Sequence, residues 1–303
     1  VATFNYGGQA VVEGVMMRGR KAVAVAVRQP GGGILVHEEL LAPRLYQNRL
    51  LRLPLLRGVL LLWEMLVLGT RMMAFAANVA TGQITEEGET APALNKGALA
   101  ITLTISLAFA IGIFFLGPLA LVGLAQHQIG NGALALVLEG LIRLVILLGY
   151  LWLIGRMSGV QRVFGYHGAE HKAINAYEQG KPLDVAHVRA ASRVHTRCGT
   201  GFLLVVMVVS IFVFALVGNP PLVLRILSRI VLVPVVAAIA YELMRLGATY
   251  YRFRFVRWLV APSLALQGLT TREPDDAQIE CAIAALERVL QRDGVLEPGR
   301  AVA

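Results

Sequence analysis

The sequence predicts an α-helical polytopic membrane protein, with about four transmembrane helices, an interfacial or re-entrant helix, a small N-terminal β-rich element and cytoplasmic helices. Three observations carry this expectation. Hydrophobic residues fill 56% of the 303 positions and mean hydropathy is +0.65, well above what a soluble globular chain shows. Residues 97–124 hold no charged side chain and suffice to cross roughly 30 Å of hydrocarbon as a helix. The basic residues, which give a net charge of +9, fall in blocks between apolar stretches.

Taken in order, residues 1–52 predict a cytoplasmic β-rich element. The run Ala22-Val23-Ala24-Val25-Ala26-Val27 favours a strand, Pro30-Gly31-Gly32-Gly33 a turn and Ile34-Leu35-Val36 a return strand. The preceding stretch brackets Gln9, Glu13 and Arg18 with glycines; it lacks nucleotide-binding spacing and reads as a loop against a site or ligand, or as unusual turns without chemistry. Residues 53–96 predict an interfacial or re-entrant helix over 53–80 and an acidic linker over 81–96. Arg57, Glu64 and Arg71 recur about every seven residues, which places them on one side of a helix. A full crossing is the alternative, and it would move the arginine-rich middle loop outside, against the charge rule.

Residues 97–247 predict the transmembrane core, with spans at 97–124, 133–154, 202–217 and 222–246. Glu139 and Arg143 interrupt the second span four residues apart and can neutralise one another. The loop at 156–199 and the flanks of the core carry the arginines, whereas the turns at 125–131 and 217–221 carry no charge. The positive-inside rule then puts both termini and the middle loop in the cytoplasm. Because residues 1–9 are polar and glycine-rich, no cleavable signal is expected there. Residues 248–303 predict an aromatic and basic interfacial segment over 250–266, anchored on the lipid bilayer, then a cytoplasmic helix from Asp275 or Asp276 to about Gln291 with Ile279, Ile283, Leu286 and Leu290 on one face. Topology accounts for the charge, so no nucleic-acid partner is expected. Cys198 and Cys281 would both face a reducing compartment, which argues against a disulfide.

The stretch Tyr166-His167-Gly168-Ala169-Glu170-His171 is an H-x-x-E-H array. On a helix, His167 and His171 share a face one turn apart, a spacing suited to Zn²⁺, and Glu170 could take a proton from bound water. A catalytic zinc ion needs a further protein ligand. Glu242 is the favoured third ligand, because an acid inside a membrane helix is costly and tends to have an ion or partner; a salt bridge with Arg245 or Arg197 is its alternative. His195 and Cys198 precede the third span and are further ligand candidates. Glu178, roughly 10 Å along the helix from His171, is expected to lie too far away. Arg197 could stabilise a developing oxyanion. Cys198, at a helix start beside Arg197, also allows a thiolate nucleophile.

These motifs resemble one family. Gly7-Gly8-Gln9-Ala10-Val11-Val12-Glu13-Gly14-Val15-Met16-Met17-Arg18-Gly19, then Tyr166 to Lys172, Arg197-Cys198-Gly199-Thr200, Tyr241-Glu242-Leu243 and Leu269-Thr270-Thr271-Arg272-Glu273-Pro274-Asp275-Asp276 run in the order of the YqhQ-type bacterial membrane proteins, often described as predicted metal-dependent enzymes. The resemblance implies a multi-pass protein of the bacterial inner membrane and carries no substrate with it. The leading expectation is a zinc-dependent hydrolase acting at the cytoplasmic interface on a membrane-associated peptide or lipid-linked substrate. The rival is a non-enzymatic scaffold or assembly factor with a membrane-protein partner in an envelope or translocase complex. A transporter using Glu139, Arg143 and Glu242 is the third reading.

Overall fold

The computed structural model describes residues 4–41, 53–84, 96–125, 130, 132–218 and 220–297. Most of the acidic linker expected over 81–96, and Arg44, Arg49 and Arg52, lie outside the described residues. The chain forms a sheet-containing module and an apolar helical bundle.

The module is built on a four-stranded antiparallel meander, β1 (Gly7–Val11), β2 (Gly14–Arg18), β3 (Ala22–Arg28) and β4 (Ile34–Leu40), in sheet order 1-2-3-4. The expected hairpin is β3–β4. The glycine-bracketed stretch before it, expected as a loop or unusual turns, is a second hairpin turning at Val12 and Glu13, the latter at φ 53°. Strand β3 explains the alternating Ala and Val: both faces are covered, so neither needs to be polar. Val23, Val25 and Val27 pack with Leu68, Met72, Phe75, Ala76 and Val79 of α1 (Leu56–Ala80). The smaller Ala24 and Ala26 let α5 (Ser158–Glu178) and α11 (Asp276–Asp293) close on the other face, through Ala169, Ala173, Ile279, Ala282 and Leu286. The last helix starts as expected: Asp275 caps it in a reciprocal capping box with Gln278.

Helix α1 is uninterrupted, so the re-entrant form of the expectation is replaced by one continuous helix, long and apolar enough to cross a membrane. Its C-terminal half lies on the sheet, while Leu56, Val59, Trp63 and Leu66 of the other half are exposed. The polar stripe read from the sequence is real, since Arg57, Glu64 and Arg71 pair with Glu242, Arg18 and Glu39.

The bundle holds three further helical segments long and apolar enough to cross: 100–124, α4 (Ala133–Ile154) and α7 (Gly199–Val217). The first of these comprises α2 (Lys96–Ile111), a π-helical turn at Gly112–Leu116 and α3 (Gly117–Leu124). The expected span over 222–246 is instead a pair, α8 (Leu222–Val231) and α9 (Val233–Thr249), bent by 44°. Pro234 follows the break, where it lacks the N–H that a continuous helix would use. Near the two irregularities lies a buried charge cluster. Arg143 donates to Glu139 at 2.8 Å, to Ser210 at 2.9 Å and to the Phe114 carbonyl of the π turn at 2.8 Å. Arg229 of α8 takes both oxygens of the same Glu139 at 3.0 Å. Phe214 lies against both guanidiniums, 5.2 Å from that of Arg143 and 4.2 Å from that of Arg229.

Helix α10 (Arg254–Thr270) crosses one end of the bundle. A Cβ on Gly247 would meet Val260, one on Gly201 would meet Ser263, and one on Gly155 would approach the Leu269 carbonyl. These contacts join the end of α9, the start of α7 and the residue after α4, as expected if those ends share one level.

Candidate metal centre

The site forms where this end of the bundle meets the module. Helix α5 begins just after α4 and ends where Gly180 takes φ 67°, turning the chain toward Pro182. The chain then makes the short helix α6 (Val185–Ala190), with Asp184 as its N-cap. The following strap, residues 189–195, returns along α5 and is held through its main chain. Lys172 Nζ donates to the carbonyls of Arg189 and Ala191, and Asn175 Nδ2 donates to those of Ser192 and Val194. Gln267 of α10 clamps His195, accepting from its N–H at 3.0 Å and donating to its carbonyl at 2.7 Å. Three residues on, Cys198 caps α7 and its Sγ accepts from Thr200 N–H.

That framework brings His167, His171 and Cys198 together, with one ligand atom of each lying within 4.8 Å of the others; among the described residues this is the one such group of His, Cys, Asp or Glu. His167 Nδ1 faces the Thr270 carbonyl at 2.8 Å, and His171 Nδ1 faces the Arg193 carbonyl at 2.7 Å. A carbonyl can only accept, so each Nδ1 carries the hydrogen and each neutral ring keeps its lone pair on Nε2. His167 Nε2 is 3.3 Å from Cys198 Sγ. Metal–nitrogen and metal–sulfur bonds of about 2.0 and 2.3 Å at a tetrahedral angle require a separation of roughly 3.5 Å, which this pair approaches. Burial pushes the His171 pKa down, which keeps its ring neutral.

Cys198, one of the ligand candidates, takes the place expected for Glu242. Glu242 lies outside the ligand group because both its oxygens are taken by the Arg57 guanidinium and one accepts from Leu55 N–H. His195 is beside the site, its ring centroid 5.8 Å from that of His171, but its Nε2 faces Glu178 at 3.4 Å, so it is a neighbour of the ligand group. Glu178 also holds Arg197, which commits the proposed oxyanion donor to a carboxylate. Burial raises the Glu178 pKa, but the His195 hydrogen bond and the Arg197 charge outweigh it and the net shift is downward. Glu170 is buried and turned toward the sheet, where Oε1 accepts from Gly8 N–H at 3.0 Å. Burial raises its pKa, with the electrostatic influence of the neighbouring His167 and the Gly8 hydrogen bond opposing.

The N-terminal motif supports the site without joining it. Glu13 holds Arg162 and accepts from the Tyr166 hydroxyl, Arg18 reaches Glu64, and the Gln9 side chain packs on Gly69. Sequence reasoning missed Gln267, Lys172, Asn175 and the carbonyls of Thr270 and Arg193. The polar residues one and four positions after His171 were the sole local signal; main-chain acceptors leave none.

The fold and donor set define a helical-bundle protein with a His₂Cys group where bundle and sheet module meet. The chain belongs to the family described as "Protein of unknown function (DUF1385)", whose model matches residues 53–292. It is 36% identical over 303 residues to "Uncharacterized protein YqhQ" of Bacillus subtilis (strain 168), covering 96% of this chain and 94% of that protein. No solved structure matches it.

Proposed function

We propose that the chain is a metal-dependent hydrolase of the bacterial inner membrane, with Zn²⁺ held by Nε2 of His167, Nε2 of His171 and Sγ of Cys198. The observation that carries this reading is the shared aim of the three donors: two imidazoles fixed by carbonyls on their far nitrogens, and a sulfur held at the start of α7. Three protein donors leave a fourth position for water or substrate, the arrangement of catalytic zinc sites. Bound zinc would supply a polarising charge and lower the pKa of water. Glu170, with its raised pKa and its proximity to His167, is the proposed proton acceptor. The buried Thr270 hydroxyl has no hydrogen-bond partner among the described residues and is the proposed contact for substrate or water. By the charge rule this end of the bundle faces the cytoplasm, so a membrane-associated peptide or lipid-linked substrate suits the location.

Elemental analysis of the purified chain tests the ligand set. Near-stoichiometric zinc is expected in the wild type and in Glu242→Ala, with loss in His167→Ala and Cys198→Ser. Zinc lost in Glu242→Ala, or absent from the wild type, overturns it. Glu170→Gln is expected to keep zinc and fail to complement a deletion strain.

The 3.3 Å contact between Cys198 Sγ and His167 Nε2 also favours a second reading, in which the cysteine is a nucleophile and the histidine its base. Alkylation separates the two. A metal-held sulfur is protected from iodoacetamide until a chelator is added, whereas a free nucleophile reacts at once.

A further inference from the structure

We propose that the segment entering α10, with the first turns of that helix, is a docking surface for anionic phospholipid headgroups. The inference rests on the bundle spanning a membrane and is independent of the metal. Arg252, Arg254 and Arg257 are exposed and have no acidic partner among the described residues. The first turn of α10 contains no acidic residue. By contrast, Arg18, Arg57, Arg71, Arg162, Arg189 and Arg292 each hold a carboxylate. Arg252, Arg254 and Arg257, close together in sequence and without an internal anion among the described residues, are free to meet an external one.

Their surroundings indicate which anion. Phe255 and Trp258 are 69% and 72% exposed and stack with centroids 6.5 Å apart, and Arg252 lies over the Phe253 ring at 4.8 Å. Aromatic rings that stand out beside guanidiniums suit the headgroup zone, where the ring enters the acyl boundary and the cation reaches phosphate. Helix α10 also crosses the ends of α9, α7 and α4, which holds this surface at the level where headgroups lie around a spanning bundle. A soluble acidic partner would satisfy the charges but would leave Phe255 and Trp258 in water. An anionic lipid satisfies both.

The test uses the full chain in detergent and native mass spectrometry, with phosphatidylglycerol or phosphatidylcholine added at equal concentration. A large preference for phosphatidylglycerol is expected. A basic side chain near an anionic surface contributes about fivefold in affinity. The R252Q/R254Q/R257Q protein should therefore lose on the order of a hundredfold in that affinity, while a triple lysine variant keeps most of it. If the triple glutamine protein does not fold, R254Q and R257Q alone should each show about the fivefold loss. Equal uptake of both lipids, or an unchanged preference in the glutamine variants, overturns the proposal. Displacement of the lipid by millimolar inorganic phosphate also overturns it, by showing a site for the free ion. Retention of the chain in membranes after alkaline extraction tests spanning separately.

Discussion

The two clusters of functional side chains in this fold obey opposite rules. Inside the bundle, about two turns from its uncharged end, Glu139 serves both Arg143 and Arg229, and every guanidinium nitrogen has a partner. At the other end, the Nδ1 atoms of His167 and His171 are tied to main-chain carbonyls, and Nε2 of His167 meets the Cys198 sulfur. The first cluster is occupied by itself, and the second is the group proposed to hold a metal. An ionisable group in an apolar helix is therefore a poor guide to a ligand until its partners are known. Glu242 shows this, since its partner Arg57 lies on a different helix and satisfies it fully.

Substitutions should separate the two rules, and the largest effect is expected inside the bundle. Glu139→Gln leaves two buried guanidiniums without a carboxylate and should cost about 3–5 kcal/mol in stability, read as the midpoint of thermal unfolding in detergent. Zinc content in the fraction that folds should not change. A chelator should come next: with metal at about a thousandfold above its Kd, removal destabilises the wild type by about 4 kcal/mol. Cys198→Ser and His167→Ala should unfold at one temperature with or without the chelator. If Glu139→Gln loses zinc while remaining folded, the clusters are coupled and the contrast fails.

Smaller effects should refine the picture. Gln267→Ala frees His195 from α10 without touching a proposed ligand, so zinc affinity should fall about 10–100-fold, measured by competition with a fluorescent chelator. Arg57→Gln removes a partly exposed ion pair and should cost about 1 kcal/mol or less, with zinc retained. A zinc loss in Arg57→Gln would return Glu242 to consideration as a ligand.

The same contrast explains what could be read from sequence. That His167 and His171 share a face was legible from helical spacing, and Cys198 was among the residues expected near them because it precedes the third span; the structure brings the three together. The choice of Glu242 as third ligand failed because an ion pair with Arg57, on another helix, leaves no local trace. Arg229 is buried against Glu139, a partner on another helix that likewise leaves no local trace. The β1–β2 hairpin was hidden by its glycines. At Gly8 a side chain would strike the Met16 carbonyl, and at Gly14 it would strike that of Ala26, so close packing requires residues whose propensity argues against a strand. The β3–β4 hairpin and the capped last helix followed from patterns that local physics fixes.

The strap beside α5 has a consequence for how the protein tolerates change. Its carbonyls, and none of the side chains of Ser192, Arg193 or Val194, meet Lys172, His171 and Asn175. Any amino acid supplies that oxygen, so an exchange at Arg193 leaves the grip intact, whereas Ser192 also shapes the strap by accepting from Val194 N–H through its hydroxyl. Losing or gaining a single link in the chain there shifts the whole row of acceptors out of step. The grip on this segment depends on its length more than on the identity of Arg193.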